Sequence, residues 1–388
     1  MAGQRTVRDL NQQALMRLFG AQDGRSRAQL ARTLGLTKAT VSAIVADLLD
    51  QDLLVERGMT AVSDRGGRPG TTLALNPRGA SILGAEFSES HVAVVGLRLD
   101  GSQIGQTRVD LEPGIGLPAI LDELCRLVDG FRTTHVDDLP NLTALGLALP
   151  GMLAPDGTVT WFPGLHWPPG SVAGRLEDRI GLDVVVENDA NASAMAELLL
   201  GSEVADSFLY LLLDRGVGSS IVVDRSLYRG ADGRSGEVGH MRLALDGPVC
   251  PHCGATGCYE SMVNTDAIER YYRQASGRDV DWPTILATVE QDEHARQAFD
   301  RWVWWLARGL LNLVYVLNPA HIVVGGVIPH LVPHLGPILT DAMTSEAFGA
   351  GDGLTVRLST WGEAQGAIGA AAIIRRQFFT AASSVMPV

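Results

Sequence analysis

The sequence predicts a multidomain chain, a small winged helix-turn-helix head followed by a larger body of alternating strands and helices. Three observations predict it. The chain has 388 residues, of which 46% are hydrophobic, more than one ordinary core accommodates. Charge changes sign along it: residues 1–80 carry 11 Lys plus Arg against 7 Asp plus Glu, or +4, and the remainder carries 20 against 37, or −17. Hydrophobic spacing changes as well, from helical up to Leu48 to strand-and-helix alternation after Ile82. A basic head on an acidic body suits a nucleic-acid reader.

In the head, Leu10, Ala14, Leu15 and Leu18 predict an amphipathic helix over residues 10–19. Ser26 and Gln29 form a capping-box pattern that opens a second helix, burying Leu30, Ala31 and Leu34 and breaking at Gly35. Thr37 caps a third, with Val41, Ile44, Val45 and Leu48 inside. Its early residues Thr37, Lys38, Ala39, Thr40, Ser42 and Ala43 are small or polar enough to enter a major groove. A plain helical hairpin is the alternative, and the next segment argues against it. Two apolar strands flank Ser63-Asp64-Arg65-Gly66-Gly67-Arg68-Pro69-Gly70, a wing whose Arg65 and Arg68 suit the negative potential of a minor groove. An exposed hairpin tip with incidental arginines would read the same way.

After the joint Asn76-Pro77-Arg78-Gly79, strands are expected at 91–99, 144–149, 184–187, 208–213, 219–223 and 321–324, and helices at 118–131 and 190–200. Residues 302–317 form the longest apolar stretch, interrupted by Arg308 and Asn312. It falls short of the roughly 20 residues a bilayer span needs and reads as a buried helix. No basic-then-apolar leader precedes the head. A soluble, cytoplasmic protein without membrane insertion is expected.

Three constellations carry chemistry. Glu187-Asn188-Asp189-Ala190-Asn191 lies where a strand meets a helix; its amide and carboxylate suit adjacent sugar hydroxyls, or it caps the helix. Gly236-Glu237-Val238-Gly239-His240, continuing to Glu260, offers two carboxylates and an imidazole, which could equally be solvated. His240, Cys250, Cys253 and Cys258 suffice for a closed tetrahedral zinc site, with Gly254 and Gly257 letting the chain curl and His252 a competing ligand. The fourth cysteine, Cys125, stands apart, and three thiols within nine residues suit a metal better than disulfides.

These motifs, with Leu149-Pro150-Gly151 and Cys253-Gly254-Ala255-Thr256-Gly257-Cys258-Tyr259-Glu260, make the chain resemble the ROK family of repressors, open reading frames and sugar kinases, specifically its repressor branch. The resemblance implies a two-lobed actin-like ATPase (ribonuclease H-like) sugar-kinase fold. It implies a head at 1–78, a small lobe at 79–190 with 373–388, and a large lobe at 191–372. It places Asn188, Asp189, Glu237, His240 and Glu260 on a sugar, and His240, Cys250, Cys253 and Cys258 on zinc. The partners it implies are operator DNA, a sugar effector and further copies of the chain, as homodimer or homotetramer.

The sequence also departs from the family. Two residues, Pro251 and His252, stand between the first two cysteines where one is usual, and Pro163-Gly164-Leu165 lacks an expected Asn. Where the family's kinases carry an Asp-x-Gly-Gly-Thr phosphate loop, this chain reads Glu86-Phe87-Ser88-Glu89-Ser90. Both glycines are gone and Glu89 adds negative charge where polyphosphate would sit; the second phosphate loop begins with Asp214, another carboxylate facing ATP. The expectation is a sugar-modulated repressor without catalysis; the alternatives are an active ATP-dependent sugar kinase carrying a DNA-binding head, and a regulator that ignores sugars.

Overall fold

The computed structural model describes residues 2–21, 24–59, 71–88, 90–112, 114–142, 144–154, 156–162, 172–201, 205–345 and 353–380. Arg65 and Arg68 of the wing, Glu89 and Pro163-Gly164-Leu165 lie outside the described residues. The chain forms two compact units, Met1–Leu147 with Ala173–Val185 and Ala370–Val388, and Ala148–Val172 with Val186–Gly369.

The first unit begins with α1 (Ala2–Ala21), β1 (Arg25–Ser26), α2 (Arg27–Leu34), α3 (Lys38–Asp50), β2 (Leu54–Met59) and β3 (Thr71–Leu75). The capping box is present: Ser26 Oγ accepts the Gln29 N–H at 3.3 Å, and Gln29 Oε1 accepts the Ser26 N–H at 2.8 Å. Gly35 ends α2 in the left-handed conformation, φ 65°, and Thr37 then caps α3 by accepting the Thr40 N–H at 3.1 Å. These three local devices fix the helix-turn-helix.

Leu15, Met16 and Phe19 of α1 pack with Leu30, Ala31, Val41, Ile44, Val45 and Leu48. Two expectations are corrected here. Leu15 is buried and Leu18 packs against the core as expected, but Leu10 is 57% exposed and Met16 and Phe19 complete the inner face of the longer α1. Leu34 is only half-buried at the edge of the core. The wing strands β2 and β3 pair antiparallel, and β1 adds a third strand in the order β1-β3-β2. Ala80, Leu99 and Phe379, from outside the head's own sequence, complete its apolar core.

The body continues with β4 (Ser81–Phe87), β5 (His91–Arg98), β6 (Gln103–Asp110), α4 (Leu117–Thr134), β7 (Ala144–Leu149), β8 (Met152–Leu153), β9 (Val159–Trp161), α5 (Val172–Ile180) and β10 (Asp183–Asn188). Its five-stranded sheet has the order β10-β7-β4-β5-β6, with β4, β5 and β6 antiparallel. Every residue of β4 is buried, which is why it sits mid-sheet.

In the second unit follow α6 (Asp189–Leu200), β11 (Phe208–Leu213), β12 (Val217–Val223), β13 (Ser226–Leu227), α7 (Glu260–Val263), α8 (Thr265–Ser276), α9 (Trp282–Ala287), α10 (Glu293–Leu317), β14 (His321–Gly325), α11 (Val327–Leu331), α12 (Leu335–Thr344) and β15 (Thr355–Leu358); α13 (Gln365–Thr380) begins there and belongs to the first unit from Ala370 on. The sheet order is β13-β12-β11-β14-β15, antiparallel through β11, β12 and β13 and parallel through β11, β14 and β15. In both sheets the earliest strand is central, with its hairpin partners on one side and two later strands on the other. This repeated order is the actin-like, ribonuclease H-like arrangement.

Residues 302–317 belong to α10, which is amphipathic and not buried all round. Trp302 is buried and donates Nε1–H to the Val263 carbonyl at 2.8 Å, whereas Trp304, Tyr315 and Val316 are exposed. Among the described residues no helix is long and apolar enough to cross a membrane.

Candidate functional site

The exposed face of α3 carries Thr37, Lys38, Ala39, Ser42 and Ala43, opposite the buried Val41, Ile44, Val45 and Leu48. Thr40 is half-buried, its hydroxyl 2.8 Å from that of Thr37, so it serves the cap. The first turn of α3 holds no acidic residue, and its positive dipole end and Lys38 lie together. Such an end suits a phosphate backbone.

The thiols are brought together by the segment between the 3-10 turn Val238–His240 and α7. Short bridges, Arg242 with Cys258 and Val249 with Thr256, fold it back on itself. Gly254 and Gly257 take positive φ of 72° and 75°, and a Cβ on Gly257 would collide with the Ala244 carbonyl. The four ligand atoms of His240, Cys250, Cys253 and Cys258 all lie within 4.8 Å of one another and could hold a metal ion. Cys250 Sγ is 3.9 Å from His240 Nδ1, and Cys253 Sγ is 3.5 Å from Cys258 Sγ. Thiolates about 2.3 Å from a tetrahedral zinc stand roughly 3.8 Å apart, so the donor set fits that ion.

The electrostatics agree. Burial, reinforced by the Cys253 hydrogen bond, pushes the Cys258 thiol up to about 12. Burial also raises Cys253, but the Ala255 N–H and neighbouring thiols outweigh it and lower that thiol. Thiolates packed this closely repel unless a cation sits among them. His252 is drawn away from the thiols, its Nδ1 2.6 Å from Glu260 Oε1. A second grouping of Cys250, His252 and Glu260 overlaps the first at Cys250.

Glu260 is buried, and its other oxygen accepts the Val217 N–H at 3.0 Å. Burial raises its carboxyl, but the His252 hydrogen bond and charge outweigh this and hold it below its ordinary value. Glu237 is solvent-exposed, yet surrounding protein partly desolvates its carboxylate and raises it, with His240 opposing and Glu260 adding to the rise. Glu237, His240 and Glu260 are thus close enough to feel one another's charge.

Asn188 realises the capping reading: its Oδ1 accepts the Asn191 N–H at 3.0 Å, and its Nδ2 donates to the Gly151 carbonyl at 3.1 Å and to Asp189 Oδ1 at 3.0 Å. Asp189 Oδ1 also accepts the Ala190 N–H at 2.8 Å, so both side chains are fixed at the first turn of α6.

Three contributors were missed by sequence reasoning or left without a role. Trp161, paired with Met152 across the β8–β9 hairpin, sets its ring edge-on to His240 at 6.4 Å between centroids. Arg229 grips Glu187 with both terminal nitrogens. Glu187 opens the Glu187-Asn188-Asp189-Ala190-Asn191 motif, whose sugar-directed chemistry lies in its neighbours. The aromatic Trp161 after Gly157 was a visible signal, whereas nothing local pairs residue 229 with 187.

The ROK family matches residues 116–377, about two thirds of the chain. Over 349 residues the chain is 26% identical to the xylose repressor of Bacillus subtilis (strain 168), covering 89% of this chain and 88% of the repressor. A solved structure described as a ROK family transcriptional regulator, homolog of E. coli MLC protein, matches with TM-score 0.81 at 24% identity, over 96% of this chain and 97% of its own. A ROK family glucokinase from Streptomyces griseus, solved with glucose and AMPPNP, matches with TM-score 0.66 at 25% identity, over 76% of this chain and 99% of its own. With the two sheets of repeated order and the His-Cys cluster joined to α7, these matches make the chain a member of the ROK family.

Proposed function

We propose that the protein is a transcription repressor whose operator affinity is modulated by a sugar or sugar derivative held by Asn188, Asp189, Glu237, His240 and Glu260. One observation carries this reading: the exposed α3 face of Thr37, Lys38, Ala39, Ser42 and Ala43 belongs to the same chain as the sugar-kinase-like body. The likeness to the xylose repressor supports it by spanning nearly the whole chain, whereas the glucokinase match takes in only three quarters of it. In this reading Thr37, Lys38, Ala39, Thr40, Ser42 and Ala43 face the major groove, and Arg65 and Arg68 the minor groove, of double-stranded operator DNA. A homodimer or homotetramer presents paired heads to a two-fold operator.

Zinc is the ion that best suits the cluster, held by His240, Cys250, Cys253 and Cys258. When bound it supplies a fixed positive charge that keeps the thiols ionised and the His240 ring oriented. His240 then presents its remaining nitrogen to a sugar hydroxyl, and the Glu260 and Glu237 carboxylates accept from others. A sugar shifts operator affinity only by binding one conformation of the chain more tightly than another.

Phosphoryl transfer is disfavoured by the turn after β4. The N–H groups of Ser90 and His91 donate to Ser88 Oγ at 3.1 and 3.2 Å, so the amides a phosphate loop would offer are already engaged. Glu86 keeps the carboxylate that the kinases' Asp supplies but is buried 3.1 Å from His91 Nε2, so the change that opposes phosphate binding is the loss of both glycines. Asp189 then accepts a hydrogen bond and abstracts no proton.

The deciding experiment titrates full-length protein on operator DNA in a gel shift, with and without D-xylose, D-glucose, N-acetyl-D-glucosamine and their phosphates. At least one should change the affinity, and a coupled ATP assay with the same sugars should show no turnover. Operator binding indifferent to every sugar would favour a regulator that ignores them; ATP-dependent turnover would restore the kinase.

A further inference from the structure

We infer that Arg229 is a positioning residue: through its two-point grip on Glu187 it clamps the loop that carries Glu237 to the turn that carries Asn188 and Asp189. The inference rests on the sugar-binding reading above.

Arg229 Nη1 donates to Glu187 Oε1 at 3.1 Å, and Nη2 donates to Glu187 Oε2. The same Oε1 accepts the Asn188 N–H at 2.9 Å and the Asn191 Nδ2–H at 3.1 Å. Glu187 is therefore the hub that ties the end of β10 to the first turn of α6, the two segments that fix the Asn188 and Asp189 side chains. The Glu187 side chain is 6% exposed.

That burial separates this pair from the chain's exposed ones. Arg225 with Asp206 and Arg273 with Asp279 have both partners more than half exposed, where an ion pair contributes almost nothing. The Arg229 side chain is 47% exposed, so the buried member is the carboxylate: a carboxylate taken out of water needs its cation, and losing Arg229 leaves the Glu187 charge uncompensated. Glu187 without Arg229 must recruit water or turn outward, and either disturbs the Asn188 and Asn191 hydrogen bonds that share its oxygen.

The other end of the clamp is equally well anchored. Tyr228 N–H donates to the Ile221 carbonyl at 2.8 Å, and Ser235 N–H donates to the Arg229 carbonyl at 3.2 Å. Ser219 Oγ then donates to the Gly236 carbonyl at 2.8 Å, one residue before Glu237. The loop is thus closed at Arg229 and Ser235 and tied to β12 at Gly236, so a shift of Arg229 is passed along it towards Glu237. Arg229 touches no sugar in this scheme. It sets the spacing between two groups that do.

Removing outer partners of this kind costs metal sites roughly 10- to 100-fold in affinity, and a loss in the same range is expected for the sugar. The test is calorimetric titration of the full chain with D-xylose, D-glucose, N-acetyl-D-glucosamine and D-glucose 6-phosphate. Wild type, Arg229→Ala, Arg229→Lys and Glu187→Gln are compared. Whichever sugar wild type binds should bind more weakly to Arg229→Ala and Glu187→Gln. Arg229→Lys should recover part of the loss, because lysine restores the charge but not the fork.

Metal content and operator affinity without sugar should stay unchanged in all three. That pattern, with lysine rescue, is one a merely destabilised chain would not give. Should Arg229→Ala fail to fold, wild-type affinity in both remaining variants overturns the clamp. Equal affinity in wild type and Arg229→Ala also overturns the clamp alone. Wild type binding none of the sugars overturns the sugar-binding reading and the clamp with it.

Discussion

Replacing Cys253 by serine tests what the cluster of three thiols and one imidazole is for. Cys253 is the exposed member, so its loss opens no cavity in the core, and no cysteine of the cluster belongs to the main apolar core of its unit. The segment also keeps backbone support of its own: Cys250 N–H donates to the Ala255 carbonyl at 2.8 Å, and Gly254 N–H to the Cys250 carbonyl at 2.9 Å. The substitution should therefore act on the metal alone. A structural zinc contributes about 10–16 kcal/mol over four ligands, so one thiolate accounts for roughly 3–4 kcal/mol. At about 1.4 kcal/mol per tenfold, Cys253→Ser should bind zinc some 100- to 1,000-fold more weakly. Elemental analysis of wild type purified without added metal should show one zinc per chain, and chelator competition should give the affinity ratio. Sugar affinity should fall with the metal, since His240 loses its anchor, while operator affinity without sugar should hold. Well-folded wild type devoid of zinc, or Cys253→Ser retaining it with equal affinity, would refute the reasoning.

Phe379→Ala removes a buried ring from the core of the head and should cost about 3–5 kcal/mol. Hydrogen exchange should accelerate around Leu15 and Leu30, and operator binding should fail before sugar binding does. Lys38→Ala should weaken operator binding and lower the slope of log affinity against log salt by about 0.9, the signature of one lost phosphate contact. Arg68→Ala should weaken the operator complex without altering sugar affinity; an unchanged gel-shift titration would remove the wing from the interface. Asp189→Asn should impair sugar sensing while operator affinity without sugar stays the same, and an intact sugar response would take Asp189 out of the site.

What the sequence disclosed was local. Ser26 with Gln29, Gly35 and Thr37 act within four residues of themselves, so both ends of α2 and the start of α3 were legible. The cluster of His240, Cys250, Cys253 and Cys258 was legible for the same reason, its spacing being short and its chemistry distinctive. Leu10 continues the apolar spacing of α1 yet is exposed, because spacing alone does not say where a helix meets its core. β1, two residues long, leaves no pattern to find. The partnership of Arg229 with Glu187 spans 42 residues and that of Phe379 with the head several hundred, and only folding brings either together.

The last of these has a consequence for the order in which the protein is made. Leu75, the final residue of the wing strand, precedes Phe379 by 304 residues. At about 5–20 residues per second a ribosome needs roughly 15–60 s to cover that distance. Throughout that interval the DNA-reading head is complete in sequence but open where Phe379 will close it. The helix-turn-helix matures last although it is synthesised first. A nascent or prematurely terminated chain, bearing the whole of α3 and the wing segment, should therefore be a poor competitor for the operator and a ready client for chaperones.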